Sequence, residues 1–229
     1  MKPLTPPVDA SEGVIKYQLA FRQAAPLDSG LTRELIAWRD VLYRLGLTGM
    51  DTGRYEGLAY GNVSLRLQDS GMFIISGTRT GGLARLGPDH FSRILSFDLA
   101  TNQLLATGPI PPSSEALTHA ATYAAVPWVN CVLHAHCPEI WQQASSLDLP
   151  VTSPATTYGT PDMAREVSQF LDGTRRIVVM GGHQDGIIAV GSTVREAALA
   201  LIECLARALM GLPAQDAMPY SLFPHQKDP

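Results

Sequence analysis

The sequence predicts one α/β domain built on a mixed or mostly antiparallel sheet. Three observations lead there. Apolar residues make up 45% and charged residues 17% of the 229 residues, which permits a substantial buried core. Short stretches alternate apolar and polar residues around turn-forming residues, the signature of hairpins. Stretches with helical spacing lie between those strands rather than at one end of the chain. With no internal repeat or clear domain boundary, one domain is expected over residues 31–212, between an N-terminal tail, 1–30, and a C-terminal tail, 213–229.

The elements follow in order. Residues 1–30 contain several prolines and little periodicity, and read as a tail with at most one short helix. Leu35, Ile36, Trp38, Leu42 and Leu45 then recur at helical spacing, with Thr32 a candidate cap and Gly46 a natural stop. Val63, Leu65 and Leu67 alternate with polar residues, Asp69-Ser70-Gly71 supplies turn chemistry, and Met72–Ile75 reads as the returning strand. A glycine-rich loop covers residues 77–82, and a second hairpin is expected from Arg93–Leu99 and Gln103–Ala106. Leu117, Ala120, Ala121 and Ala124 then predict a helix, with Ser113 or Ser114 as its cap and Pro127 at its end. A strand over Val129–His136 precedes a short helix opened by Pro138. Another helix is expected over Asp162–Leu171, and strands over Arg176–Met180 and Ile187–Val190. Thr193 and Glu196 have capping-box spacing for a long helix that ends near Met210, before Gly211.

Bulk composition narrows the function. A net charge of −4 gives no basic footprint for nucleic acid. The apolar stretch from Ala197 to Leu212 is interrupted by Glu203 and Arg207, so a soluble helix is expected and no membrane span. The first residues lack the apolar core of a signal peptide, and three cysteines form no disulfide framework. A cytoplasmic protein is the expectation.

The chemistry centres on histidine. His134 and His136 fall in a predicted strand, where residues i and i+2 share a face and two imidazoles can converge on one ion. His183 follows the apolar run 177–180 in a glycine-rich turn, and is the candidate third ligand. The structural alternatives are two half-buried histidines satisfied by hydrogen bonds, and a turn histidine. His119 reads as a structural helix histidine. Glu115 stands at the start of a helix, where the helix dipole alone favours a carboxylate. Its functional reading is proton transfer beside a metal. Ser113 and Ser114 at the same helix start, Asn62, and the loop containing Gly77 and Thr78 offer hydroxyls and backbone donors for an anion.

Taken in order, the segments GNVSLRL (61–67), FIISGT (73–78), PSSE (112–115), VLHAH (132–136), TYGTPDMAREV (157–167) and GGHQDGIIAVG (181–191) resemble the class II aldolase/adducin family, which fuculose-1-phosphate aldolase typifies. The interval from Glu115 to His134 matches that family's spacing. The resemblance implies a three-layer α/β/α fold around a mostly antiparallel sheet. It implies a divalent metal, zinc by preference, held by His134, His136 and His183, with Glu115 as the acid/base group. Asn62, Ser76, Gly77, Thr78, Ser113 and Ser114 correspond to phosphate-binding positions. A homotetramer acting on a small sugar or sugar phosphate is implied, through aldol cleavage with a metal-stabilised enediolate.

Two departures stand out. The segment between Cys137 and Tyr158 is short and lacks the proton-donor tyrosine that the family's aldolases place there. The family's usual His-Gly turn is lengthened to His183-Gln184-Asp185-Gly186. Epimerase or dehydratase chemistry at the same site is therefore an alternative. So is a non-catalytic adducin-like scaffold, against which the intact ligand set counts.

Overall fold

The computed structural model describes residues 15–67 and 71–211. Its elements run β1 (Gln18–Gln23), α1 (Ser29–Arg44), β2 (Gly49–Met50), β3 (Ala59–Tyr60), β4 (Asn62–Arg66), β5 (Phe73–Ser76), β6 (Phe91–Asp98) and β7 (Gln103–Gly108). They continue with α2 (Ala116–Ala125), β8 (Cys131–His136), α3 (Pro138–Gln142), α4 (Pro161–Phe170), β9 (Ile177–Val179), β10 (Gly186–Gly191) and α5 (Val194–Met210). Among the described residues, one sheet has eight strands in the order β1-β7-β6-β5-β4-β8-β10-β9, and β2 pairs with β3 in a separate ribbon. Only the edge pair β1–β7 in the large sheet is parallel.

Two apolar clusters divide the sheet's faces. Leu35 and Leu42 of α1, Ile140 and Trp141 of α3, and Ala197 and Leu201 of α5 pack with Leu133 and Ala135 of β8. On the opposite face Leu117 and Ala120 of α2, and Met163 and Val167 of α4, pack with Val132, Val178 and Ile188. The result is the expected three-layer α/β/α arrangement.

The predicted hairpins and helices are present, with differences that have physical causes. Residues 18–23, expected within a tail, form β1 because the parallel edge of β7 offers ladder partners that the short segment's own pattern does not announce. Thr32 is buried within α1, and the cap is Asp28, whose side chain accepts from the Gly30 N–H at 2.7 Å. Glu115 itself occupies the cap position of α2 without a side-chain cap bond, so neither Ser113 nor Ser114 caps that helix. The predicted helix stops at Gly46 and Gly211 both lie at left-handed φ, 72° and 65°. Thr193 caps α5 by accepting from Glu196 N–H at 3.1 Å. Asp69 and Ser70 of the predicted turn, and the predicted C-terminal tail 213–229, lie outside the described residues.

Candidate functional site

The alternation of β8 separates core from chemistry. Cys131, Leu133 and Ala135 join the α1/α5 cluster, so His134 and His136 point with Val132 to the α2 face. Flanking strands fix their height in the sheet: Asn62 of β4 and Ile188 of β10 lie opposite His134, and Gly186 lies opposite His136. His183 comes from the turn between β9 and β10. That turn is closed by Met180 N–H to Gly186 carbonyl at 2.9 Å, His183 N–H to Met180 carbonyl at 3.1 Å, and Gly186 N–H to His183 carbonyl at 3.0 Å. A Cβ at Gly186 would stand 2.5 Å from His183 Cδ2, so glycine there leaves the imidazole its room.

The three rings converge. Nε2 of His136 lies 3.2 Å from Nε2 of His134 and 3.1 Å from Nε2 of His183, and the third side of the triangle is 3.3 Å. Three nitrogens at roughly 2.0–2.1 Å from one tetrahedral ion would be roughly 3.3–3.4 Å apart, so the donor set fits a divalent metal. His134 Nδ1 donates to the Ile187 carbonyl at 3.2 Å, which leaves its Nε2 lone pair facing the other two rings. All three rings are buried. Burial holds His134 down to about 4, opposed by the bond to Ile187, and burial keeps His136 and His183 well below the ordinary imidazole value. Neutral imidazole is the form that binds metal.

Glu115 is 1% exposed, and neither carboxylate oxygen has a well-formed hydrogen-bond partner among the described residues. Burial raises it to about 7, while the Thr118 hydroxyl and the Lys16 ammonium act in the opposite direction. It lies outside the cluster of three ligand atoms. A carboxyl raised this far is partly protonated near neutral pH rather than permanently charged.

Asn62, Gly77, Thr78, Arg79, Ser113 and Ser114 line one small polar pocket, drawn from β4, the glycine-rich loop and the approach to α2. Ser76 is not in its lining. The Ser76 hydroxyl accepts from Val63 N–H at 3.1 Å, and its carbonyl accepts from Ser113 N–H at 3.1 Å, so it ties the pocket's walls together. The larger surface clefts, along β1, β6 and β7 and between α2 and α4, contain none of the predicted site residues.

Sequence reasoning missed several neighbours. Tyr158 is fully buried with its ring 4.7 Å from that of His183, and Lys16 Nζ lies 3.8 Å over the Tyr158 ring. Tyr17 donates to the Ser113 carbonyl at 2.7 Å. Tyr55 packs edge-on against His136 at 4.5 Å and donates to the Asp185 carboxylate at 2.7 Å. Asp185 carried a signal, being part of the lengthened turn after His183. Tyr158 lay within the segment TYGTPDMAREV (157–167) but without an assigned role, and Lys16, Tyr17 and Tyr55 arrive through tertiary contacts with no local pattern.

The family model for the class II aldolase and adducin N-terminal domain matches residues 48–210. Fuculose-1-phosphate aldolase from Thermus thermophilus is similar in structure, with a TM-score of 0.58 at 23% identity over 80% of this chain and 93% of that one. The sugar-phosphate aldolase from Thermotoga maritima gives 0.62 at 16% identity over 80% and 93%. The N-terminal class II aldolase domain of a conserved protein from Thermoplasma acidophilum gives 0.56 at 18% identity over 80% and 94%. No curated protein matches the sequence.

Proposed function

Because the chain belongs to the class II aldolase and adducin N-terminal domain family, we propose that it is a metal-dependent lyase that reversibly cleaves a small phosphorylated ketose by aldol chemistry. One observation supports this above the others. Three imidazole nitrogens converge within 3.3 Å of one another, and the same chain buries the Glu115 carboxyl, which burial raises to about 7.

His134, His136 and His183 would hold the ion, zinc being the metal that three neutral imidazoles suit. Bound there, it would supply a Lewis acid for the substrate's hydroxy-carbonyl group. Glu115 takes or returns the proton at the carbon next to that carbonyl, and its removal from water keeps it near the working pH. The hydroxyls of Ser113, Ser114 and Thr78 and the amide of Asn62 bind the phosphate, in a pocket that Gly77 helps to line. The remote end of the substrate is thereby fixed, and binding energy is used to align the reacting carbons. Ser76 holds the strand and the serine turn at one spacing. We further propose a cytoplasmic homotetramer; a clean monomer by light scattering at working concentration refutes that assembly.

The test is a metal analysis of purified protein beside an activity screen against phosphorylated ketoses and their aldehyde fragments. Cleavage with release of an aldehyde by the metal-loaded protein is the expected result. Metal-loaded protein that inverts or dehydrates these substrates without cleaving them refutes the aldolase assignment. Metal with no turnover of any of them refutes the lyase reading.

A further inference from the structure

The loop between β2 and β3 and the turn between β9 and β10 meet beside the histidine cluster. Tyr55 comes from the first and Asp185 from the second, 130 residues apart, and the Tyr55 hydroxyl donates to Asp185 Oδ2 at 2.7 Å. Both residues are held at left-handed φ, 51° and 59°, as is Glu56 at 57°. Aspartate tolerates that conformation in turns, but a tyrosine adopts it only where the surroundings impose it, and such outliers gather at ligand clamps and active sites.

The surroundings are visible. The Asp185 carbonyl accepts from Cys137 N–H at 2.8 Å, which fastens the turn to the residue after His136. Asp185 is 4% exposed. The Tyr55 ring is wedged between Tyr60, at 5.0 Å, and the edge of His136, at 4.5 Å. The Asp185 carboxylate is not part of the ligand cluster, so its task is not to complete the metal's coordination. It engages the one hydrogen of the Tyr55 hydroxyl. A phenol whose hydrogen is committed keeps its lone pairs and acts as an acceptor. Tyr55 is half-buried while Asp185 is nearly enclosed, so of the pair it is Tyr55 that has surface left to meet a small molecule.

We propose that Tyr55 accepts a hydrogen bond from the hydroxyl beside the carbonyl of the bound substrate, with Asp185 as its positioning residue, so that the pair selects hydroxyketone phosphates over deoxy analogues. The inference rests on the ketose-phosphate reading above. It gives the two loops a common purpose: each contributes half of one fixed acceptor beside His136. A site built to hydrogen-bond a substrate hydroxyl discriminates strongly against the analogue that lacks it.

The experiment titrates metal-loaded, full-length protein by calorimetry with dihydroxyacetone phosphate and with hydroxyacetone phosphate, which lacks the hydroxyl. Wild type, Tyr55→Phe and Asp185→Ala are compared, with metal content and melting temperature measured for each. The expected result is that Tyr55→Phe binds dihydroxyacetone phosphate about tenfold more weakly, as for one lost hydrogen bond of ordinary strength. Its affinity for hydroxyacetone phosphate should remain within about twofold of wild type, the same hydrogen bond being absent from that pair. Asp185→Ala should show the same selective loss. Wild-type binding of both probes with equal losses, or none, in Tyr55→Phe overturns this proposal and leaves the ketose-phosphate reading standing. A Tyr55→Phe protein that loses metal or unfolds assigns the hydroxyl to the fold and overturns it too. Failure of wild-type holoprotein to bind either probe overturns both.

Discussion

Replacing Glu115 by glutamine should make the metal-free protein more stable at alkaline pH while disabling it as a catalyst. The folded-state carboxyl is raised from 4.5 to about 7, so the unfolded chain releases this proton first as pH rises. The group's contribution to stability is therefore fully present below about 4.5, declines between 4.5 and 7, and is lost above 7. At about 1.4 kcal/mol per pKa unit, the whole displacement corresponds to roughly 3 kcal/mol, and roughly 2–3 kcal/mol of it falls between pH 5 and pH 8. Glutamine keeps the shape and cannot ionise. In a chain of this size, that difference moves the melting temperature by about 5–10 °C.

The assay compares wild type and Glu115→Gln by urea and thermal unfolding of metal-free protein at pH 5 and pH 8. Subtracting the two proteins at each pH cancels the other titrating groups. The variant's advantage should grow by the stated amount from pH 5 to pH 8. The wild type's loss of stability over that range should shrink when a divalent ion is added, since a nearby cation favours the charged carboxylate. Turnover of an identified substrate should fall about 10²–10⁴-fold, the contribution of a general acid–base group. A stability difference that does not change between pH 5 and pH 8 refutes the buried-carboxyl argument. Unchanged turnover with metal bound removes Glu115 from the mechanism.

Three further outcomes are expected. The His134→Ala/His136→Ala double variant should purify without its metal, since it keeps only one of three converging imidazoles; wild-type metal content by elemental analysis sinks the ligand assignment. Substituting both Ser113 and Ser114 by alanine should weaken competitive inhibition by inorganic phosphate about tenfold or more, as two hydrogen bonds to a charged group are lost, and an unchanged inhibition constant moves the anion elsewhere. His119 is buried, its Nδ1 is 2.7 Å from the Ser64 hydroxyl, and burial, then His134, hold it well below the ordinary imidazole value. Its contribution to stability is full above about 6.5 and lost as pH falls below that, so His119→Gln should flatten the urea-melt profile on the acid side of about pH 6.5, and an unaltered profile refutes it.

What could be read from the sequence and what could not differ in the kind of interaction involved. α5 was legible because it buries a regular stripe, while β4 and α2 showed apolar residues at strand and helix spacing and β8 an apolar run, although β8 is buried at every position. The same period told that His134 and His136 share a face. It could not tell that the face is the one covered by α2, because that depends on which helix packs on which side of β8. β1 escaped because its position depends on the free edge of β7 rather than on its own pattern, which reads exposed or half-buried along its length. Ser113 and Ser114 were correctly located at a helix start, but capping is decided by backbone angles. There Glu115, at φ −89° and ψ 2°, takes the cap position itself.

Tyr55 and Asp185 mark the limit of local reading. Nothing periodic distinguishes a tyrosine in a short loop, and an aspartate in a glycine-rich turn is ordinarily turn chemistry. Their significance lies in a contact across 130 residues and in the left-handed backbone of Tyr55, which ordinary turn chemistry does not explain. Two of the three candidate ligands, His134 and His136, follow regular strand geometry and so were visible in advance, whereas His183 stands in a turn. The groups surrounding it sit on irregular backbone, held by single hydrogen bonds such as Cys137 N–H to the Asp185 carbonyl. A strand can present two ligands by periodicity alone, whereas an acceptor aimed at one substrate atom needs a direction that periodic backbone does not offer. The chain places its hydroxyl–carboxylate pair where regular structure ends, and local sequence rules stop being informative at the same boundary.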